Sequence, residues 1–348
     1  MPLTSAVLRT KSLSQTLVLG SSSEVHPHGH ETSVGRLVRI VSLIPSATEM
    51  VAALGLEHAL VGITHSCDFP PSVQHLPHVT STAIAENAKS REIDQAVKES
   101  LTTGASLYVL DVELLERLRP DLVITQGVCD VCAVGETQAL TCLSDLTSRP
   151  VLLSLHTHRL DDVMSDLVRI GGAGGVESRA RELVDEYRTR VQRVVRRVEH
   201  ERTVSVVVLE WIDPPFSAGH WTPDLVNMAG GCELLAIAGA RSRELTWDEV
   251  LEADPEVLVL ACCGQDVART LEDLTHLEAR PGFGDLRAVR TEKIYVADGG
   301  AHFSRPGPRL VESIEMLAET LHPSGRNRSR LSRARPDSSR GKRSAPPL

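Results

Sequence analysis

The sequence predicts an α/β protein with two lobes, each built around a parallel β-sheet and joined by one long helix. Three observations lead to this prediction. Short, nearly continuous apolar runs alternate with helical segments, which is typical of parallel strands covered on both faces. One segment of roughly 22 residues has the apolar spacing of a single helix. The chain has 348 residues, whereas one hydrophobic core seldom grows much beyond about 250.

The first strand and helix come directly after residue 36. The run LVRIVSLI (37–44) predicts a buried strand, and PSATEMVAALG predicts a helix after it. We expect Ser46 to cap this helix, Glu49 to complete a capping box, and Gly55 to end the helix. The buried-strand pattern recurs in ALVGI, DLVITQ and PVLLSL, which end at Ile63, Gln126 and Leu155.

The long helix separates two sets of strands. Apolar residues spaced by threes and fours between Glu177 and Val198 predict one amphipathic helix, about 33 Å long at 1.5 Å per residue. A helix of this length can connect two lobes rigidly. After it, TVSVVVLE (203–210) begins a second α/β set, which EVLVLAC and KIYVAD continue.

These patterns divide the chain into five segments. They are a disordered N-terminal extension (1–36), an N-lobe (37–158), a helical linker (159–202), a C-lobe (203–322) and a basic disordered tail (323–348). The tail consists mainly of Arg, Ser and Pro, so it offers too little apolar surface to offset its ordering entropy.

Charge and cysteine content narrow the function classes. The formal net charge is −9 although the tail is basic, so the body is strongly acidic, which argues against nucleic acid as the main partner. Seven cysteines, an odd number, favour a reducing compartment. The N-terminal segment lacks the unbroken apolar run of a secretion signal. We therefore expect a cytoplasmic location, with a periplasmic or organellar one through an atypical N-terminus as the alternative.

Aromatic and histidine side chains concentrate in loops that follow predicted strands. The chain is only 3% aromatic, yet these loops contain His65, Phe69, Trp211, Phe216, His220, Trp221, His302 and Phe303. Ligands of open α/β sheets bind at the carboxyl ends of strands. As a group, these side chains suit a large, flat, apolar ligand between the lobes.

Six segments of the chain, taken in order, are RIVSLIPSATEMVAALG, GITHSCDFPP, RPDLVITQGVCDVCA, the long helix, LEWIDPPFSAGHWTPDLVNMAGG and HFSRPGPR. Together they resemble the cobalamin-binding branch of the class III substrate-binding proteins, in particular the branch that lacks a signal peptide. The resemblance covers Arg39 to Leu321. It implies a chelatase-like fold with two Rossmann-like lobes on a rigid helix and a corrinoid in the cleft.

The same resemblance implies a function and assigns residues to it. It implies a monomeric, non-catalytic carrier or ABC-importer component, with a corrinoid as ligand, no catalytic cofactor and an ABC permease as partner. Pro45 and Ser46 match the first-strand loop beside the corrinoid, and Ser66 stands where the transport proteins have an aromatic contact. Phe216 and Arg305 match an aromatic contact and a cleft arginine. Loop position adds as candidate ligand contacts His65, Cys67, Gln126, Cys129, Trp211, His220 and Phe303.

Two acidic residues correspond to the acids that dock on permease arginines in the transport proteins. Glu113 and Asp248 each stand seven residues before a proline, Pro120 or Pro255, and each proline precedes a buried strand. The alternative is that both are ordinary first-turn acids, which the helix dipole favours without any partner.

The motif C-x-x-C at Cys129 and Cys132 leaves several interpretations open. The thiols support the ligand loop as small apolar groups, or a thiolate or His65 approaches the cobalt of a corrinoid. A metal or cluster site would use His65, Cys67, Cys129 and Cys132. A thiol redox role is opposed by Asp130 between the cysteines. The rival function is therefore an enzyme or assembly scaffold that handles a metal, heme or cluster, although the sequence contains no G-x-S-x-G, P-loop or H-E-x-x-H motif.

Overall fold

A computed structural model of the chain describes residues 38–85, 88–128, 133–324 and 330–334. Every element below lies in the unit Leu37–Leu348. Both predicted lobes are present, each built around its own β-sheet.

The N-lobe is built on a four-stranded parallel sheet in the order β2-β1-β5-β6. Its elements are β1 (Ile40–Ser42), α1 (Pro45–Ala53), β2 (Leu60–Ile63), β3 (Thr80–Thr82), α2 (Ser90–Thr103), β4 (Tyr108–Leu110), α3 (Val112–Leu118), β5 (Leu122–Gln126), α4 (Glu136–Leu143) and β6 (Val151–Leu155). The four sheet strands are those that the apolar runs predict, because a strand covered on both faces needs apolar residues at nearly every position.

The cap predicted for α1 is wrong. The helix begins two residues earlier than a cap at Ser46 implies, at Pro45, which suits the first helical position because its missing N–H needs no partner there. Ile44 is the N-cap residue, and no side chain caps it. Ser46 therefore lies within the first turn, and the carboxylate of Glu49 pairs with Arg305 and Arg309 of the C-lobe.

The C-lobe is built on a sheet in the order β12-β11-β10-β7-β8, with β9 paired to β7. Its elements are β7 (Val204–Trp211), β8 (Phe216–Ser217), α7 (Thr222–Met228), β9 (Gly231–Glu233), α8 (Trp247–Ala253), β10 (Val257–Leu260), α9 (Val267–Glu278), α10 (Arg287–Arg290), β11 (Ile294–Val296), α11 (Gly299–His302), α12 (Leu310–Leu321) and β12 (Ser332–Arg333). Strand β12 falls in the tail that we expected to be disordered, and the neighbouring Leu331 and Ala334 are buried.

Two helices link the lobes, α5 (Leu160–Ala173) and α6 (Glu177–Val198), and the bounds of α6 are those predicted. The largest apolar core contains Ile40 of the N-lobe, Leu167 of α5, Ala180 of α6 and Leu317 of α12, so it continues from one lobe to the other. The lobes thus share a packed apolar base. Among the described residues, no helix has both the length and the apolar character to cross a membrane.

The segment between β2 and α3, which contains β3, α2 and β4 and which we call the excursion, was not predicted. Strands β3 and β4 pair antiparallel, and α2 lies between them in the chain. Helix α2 ends at Gly104, whose left-handed backbone (φ 72°) suits a residue without a side chain. The spacing of Ile93, Ala96, Val97 and Leu101 is a helical signal that could have identified it.

Candidate functional site

The carboxyl ends of the strands in both sheets carry loops that meet between the lobes. We call the space between these loops the cleft. Strands β2 and β6 are the two edges of the N-lobe sheet. Contacts between the lobes occur beside both edges, and each group of contacts includes residues that the sequence pointed to.

Beside β2, two arginines of the C-lobe bind acids of the N-lobe. Arg305 donates to Glu49 at 3.3 Å, to Oδ2 of Asp68 at 2.9 Å and to the carbonyl of Ser66 at 3.2 Å. Arg309 donates from Nε to Oε2 of Glu49 at 2.8 Å. Partial burial of Asp68 by itself would raise the pKa of its carboxyl group. The hydrogen bond from Arg305 outweighs this contribution, so the pKa of Asp68 lies below its ordinary value. Arg305, expected to contact ligand, therefore holds the two lobes together in this structure.

Beside β6, imidazole and indole rings from both lobes meet. The ring centroid of His220 lies 5.7 Å from that of His158, in the loop after β6, and 5.4 Å from that of Trp221, on which it stacks. The indole N–H of Trp221 donates to the carbonyl of Phe303 at 2.7 Å. Arg241 adds a polar contact by donating to the carbonyl of Val128 at 3.0 Å.

His220 combines two unusual features. Its backbone is left-handed (φ 53°), a conformation rarely adopted by residues with a β-carbon. Its Nδ1 is buried and has no hydrogen-bond partner among the described residues. Burial, together with the nearby His158, lowers the pKa of His220. The imidazole is therefore neutral at physiological pH, with a nitrogen lone pair available.

His65 is half-buried and is engaged by the excursion between β2 and α3. Its Nδ1 lies 2.7 Å from the hydroxyl of Thr80 in β3, and its ring centroid lies 5.9 Å from that of Tyr108 in β4. Burial, together with His78, lowers the pKa of His65. This imidazole, too, is neutral at physiological pH.

Cys67 lies beneath its loop rather than on the cleft surface. It is 5% exposed, belongs to the largest apolar core, and its Sγ lies 3.0 Å from the hydroxyl of Thr48. Burial raises the pKa of Cys67 to about 11, although the hydrogen bond to Thr48 opposes this shift. A protonated, buried thiol is a poor nucleophile and a poor metal ligand. Cys67 therefore supports the loop, contrary to the expectation that it contacts ligand.

The other predicted contact residues fall into two groups. Ser46 and Phe303 are buried, at 3% and 4% exposure, so their side chains belong to the packing beneath the cleft. Half-buried positions at or near strand ends are occupied by Pro45, the first residue of α1, and by Gln126, Trp211 and Phe216. Trp211 and Phe216 are cross-strand partners between β7 and β8. Ser66 is exposed. Sequence reasoning missed His158, although it too follows a predicted strand.

The cysteine motif and the proposed metal set are only partly within the described structure. Cys129 and Cys132 lie outside the described residues. Within those residues, no group of three or more His, Cys, Asp or Glu side chains is arranged to hold a metal ion. His65 and Cys67, the remaining members of the proposed set, contact Thr80 and Thr48, respectively.

The two acids that we compared with permease-docking residues both lie in first helical turns. Glu113 follows the N-cap Asp111 of α3, and Asp248 follows the N-cap Thr246 of α8. Both side chains are exposed. A surface depression of about 450 Å³ lies beside Glu113 and is lined by Val112, Glu113, Glu116, Asp145, Leu146 and Thr147.

Comparison with known proteins gives the family. Residues 40–300 match the family described as Periplasmic binding protein. The chain is 25% identical over 297 residues to an uncharacterized ABC transporter substrate-binding lipoprotein, YvrC, of Bacillus subtilis, covering 82% of this chain and 80% of that protein. It is 24% identical over 226 residues to a vitamin B12-binding protein of Yersinia pestis, covering 64% and 69%.

A solved structure supports the fold independently. The periplasmic heme binding protein from Pseudomonas aeruginosa superposes with a TM-score of 0.60 at 22% sequence identity, over 82% of this chain and 93% of that one. The similar proteins are substrate-binding proteins and not enzymes, and the predicted resemblance to the class III substrate-binding proteins is confirmed. The chain belongs to the periplasmic binding protein family and is a substrate-binding protein of the ABC-transporter type.

Proposed function

We propose that the protein binds cobalamin or a related corrinoid in the cleft between its lobes. The observation that carries the proposal is the group of rings at the β6 edge, where the half-buried His220 lies 5.7 Å from the half-buried His158 and stacks on the buried Trp221. Flat rings offer apolar area to a flat macrocycle, and neutral imidazole is a suitable ligand for cobalt. The similarity to a protein named vitamin B12-binding supports the same ligand class.

Heme is the second candidate, because the same imidazoles suit iron as well as cobalt. The similarity in fold to a protein named heme binding favours this candidate. The two ligands differ in shape, since a corrinoid carries axial groups and a nucleotide arm whereas heme is flat. A direct comparison of both ligands on one protein preparation therefore distinguishes them.

The test is a spectroscopic titration of the purified full chain with hydroxocobalamin and, separately, with hemin. We expect hydroxocobalamin to bind with a shift in its absorption bands, and we expect His220→Ala to reduce that shift. His200→Ala is the matched control, because His200 is exposed at the end of the linker. Binding of hemin but not of hydroxocobalamin would replace the first candidate by the second, and binding of neither would refute both.

We also propose that Glu113 and Asp248 dock on arginines of a permease, one acid from each lobe. The depression beside Glu113 has room for a guanidinium group, and the exposed carboxylates lie at helix starts on both lobes. Docking on an importer's permease requires the protein to lie outside the membrane.

The cysteine content favours a cytoplasmic location instead, and in that location the protein would act as a carrier without docking. Fractionation of cells that express the full chain tests the cytoplasmic location.

A further inference from the structure

Helix α2 reaches from the N-lobe to the C-lobe through charged side chains. Arg91 donates from Nε and Nη2 to the two carboxylate oxygens of Asp213, each at 3.1 Å. About two turns further along the helix, Lys98 lies 3.1 Å from a carboxylate oxygen of Glu244. The helix supplies the cations and the C-lobe supplies the carboxylates, so the two surfaces are complementary in charge.

The first residue of α2 adds a polar contact with the C-lobe. The hydroxyl of Ser90 donates to Asp273 of α9, and Nε2 of Gln265 donates to Ser90 at 3.0 Å. These contacts join residues that are more than 170 positions apart in the chain. They place the start of α2 against the loop and helix that follow β10.

The attachment of α2 is polar rather than apolar. Ile93 and Val97 are half-buried, yet neither belongs to or packs against any of the three apolar cores formed by the described residues. Elements held by few buried apolar contacts are the ones that open locally while the rest of the protein stays folded.

The C-lobe carboxylates keep partners of their own when α2 is removed. Asp213 lies 3.5 Å from Arg280, and Asp273 lies 3.8 Å from Arg269, both within the C-lobe. Both buried carboxylates therefore keep a counter-charge when α2 detaches. A buried carboxylate left without a counter-charge would strongly oppose detachment. The C-lobe therefore supplies a counter-charge to both carboxylates without α2.

The excursion that carries α2 is anchored at the cleft. Strand β3 continues from the loop after β2, and His65 of that loop lies 2.7 Å from the hydroxyl of Thr80 in β3. Helix α2 thus runs from carboxyl-end loops of one lobe to carboxyl-end loops of the other. In this structure the loops of the two lobes also touch directly beside β6, so a ligand the size of a corrinoid needs them to separate.

We propose that α2 (Ser90–Thr103) is a latch, which holds the two lobes together at the mouth of the cleft and detaches from the C-lobe while both lobes remain folded. Its effect on ligand exchange rests on the proposed function, whereas the detachment itself does not. The latch thereby sets how quickly ligand enters and leaves the cleft.

Hydrogen–deuterium exchange of the full chain without ligand tests the latch. In the wild type, we expect the amides of α2 to exchange faster than those of α6 and to exchange faster still at high salt. Arg91→Ala and Lys98→Glu are expected to accelerate exchange in α2 at least about tenfold while α6 is unchanged. Gln95→Ala is the matched control, because Gln95 bonds only within the helix, to Glu99, among the described contacts.

A charge swap separates the contact between the lobes from the stability of the helix itself. Lys98 also pairs with Asp94 within α2, at 2.9 Å. The double variant Lys98→Glu with Glu244→Lys restores only the contact between the lobes, so we expect it to recover most of the slow exchange. The latch is overturned if α2 exchanges as slowly as α6 in every variant, or if the double variant exchanges like Lys98→Glu alone.

Release of hydroxocobalamin, followed by its absorbance after dilution, tests the consequence for ligand. We expect release to be about fivefold faster from Lys98→Glu and close to wild type in the double variant. Equal release rates from all variants would overturn the role of the latch in exchange. If neither hydroxocobalamin nor hemin binds while the amide-exchange results hold, the latch stands and the proposed ligand is refuted.

Discussion

Arg309 of the C-lobe binds Glu49 of the N-lobe through two hydrogen bonds, from Nε to Oε2 at 2.8 Å and from Nη2 to Oε1 at 2.5 Å. Glu49 is 3% exposed, and its carboxylate is paired with arginines from the other lobe. This pair, together with the shared apolar base around α6, holds the lobes in a defined relation on the side of β2. Glu49, which was predicted to complete the capping box of its own helix, thus stabilises the contact between the lobes.

Replacing Glu49 by Ala is expected to lower the free energy of unfolding by about 3 kcal/mol, because it removes the carboxylate that Arg309 binds and leaves Arg305 with Asp68 alone. Urea denaturation measures the change. Asp68→Asn is the matched control, because the Asp68 side chain is 66% exposed and Arg305 keeps Glu49. We expect that control to lose under about 1 kcal/mol. Equal losses in the two variants would contradict the role assigned to Glu49.

The left-handed backbone of His220 separates its effect on stability from its effect on binding. His220→Gly is expected to be more stable than His220→Ala by about 1 kcal/mol, because glycine adopts φ 53° without strain. Both variants are expected to bind hydroxocobalamin about tenfold more weakly than wild type, since both lack the imidazole. Thermal unfolding and titration measure the two effects. Tight binding by either variant would show that His220 is not a ligand contact.

The pH dependence of stability follows from three half-buried imidazoles. Burial is the main cause that lowers the pKa of His65, His220 and His302 below the ordinary 6.5. The unfolded chain therefore binds protons first as pH falls, so stability is complete above about pH 6.5 and decreases as pH falls below it. Urea midpoints between pH 8 and pH 5 measure this decrease.

The triple variant His65→Gln, His220→Gln, His302→Gln is the control for that pH dependence. It is expected to show a smaller decrease between pH 7 and pH 5 than the wild type, because glutamine does not titrate. An equal decrease in both proteins would assign the effect to carboxylates instead.

Because Cys67 is buried, we expect its thiol to be alkylated slowly. With a pKa of about 11, Cys67 is expected to react with iodoacetamide at pH 8 at least about 100-fold more slowly than the exposed Cys232. Mass spectrometry of the labelled peptides measures the ratio. We also expect Cys67→Ser to leave the spectrum of bound hydroxocobalamin unchanged, and a changed spectrum would return Cys67 to the ligand contacts.

Charge reversal at the docking candidates is expected to separate binding from transport. Glu113→Lys and Asp248→Lys should bind hydroxocobalamin like wild type but should abolish corrinoid uptake by cells that supply the permease. The loss of a favourable first-turn acid changes stability by only about 0.5 kcal/mol. Glu252→Lys, on the exposed side of α8, is the matched control and should support uptake. Normal uptake with both variants would leave the two acids as simple helix-start residues.

The sequence by itself determined the two-lobe architecture. The strands β1, β2, β5, β6, β7, β10 and β11 and the bounds of α6 follow from periodicities of apolar residues, which depend only on near neighbours in the chain. The same local reasoning located the strand-end loops, and it placed His220 and Phe216 in them. The same reasoning missed α2, because most residues of this helix are polar and its apolar spacing is therefore a weak signal.

Only the tertiary structure decided what individual side chains in those loops do. Cys67 is buried beneath its loop, Phe303 is packed below the cleft, and Arg305 binds Asp68, 237 positions away in the chain. Arg91 of α2 meets Asp213 of the C-lobe in the same way. A carboxylate or thiol has the same local sequence whether it is paired, buried or solvated. Its role is set by the desolvation and the partners that the folded chain brings to it from distant positions.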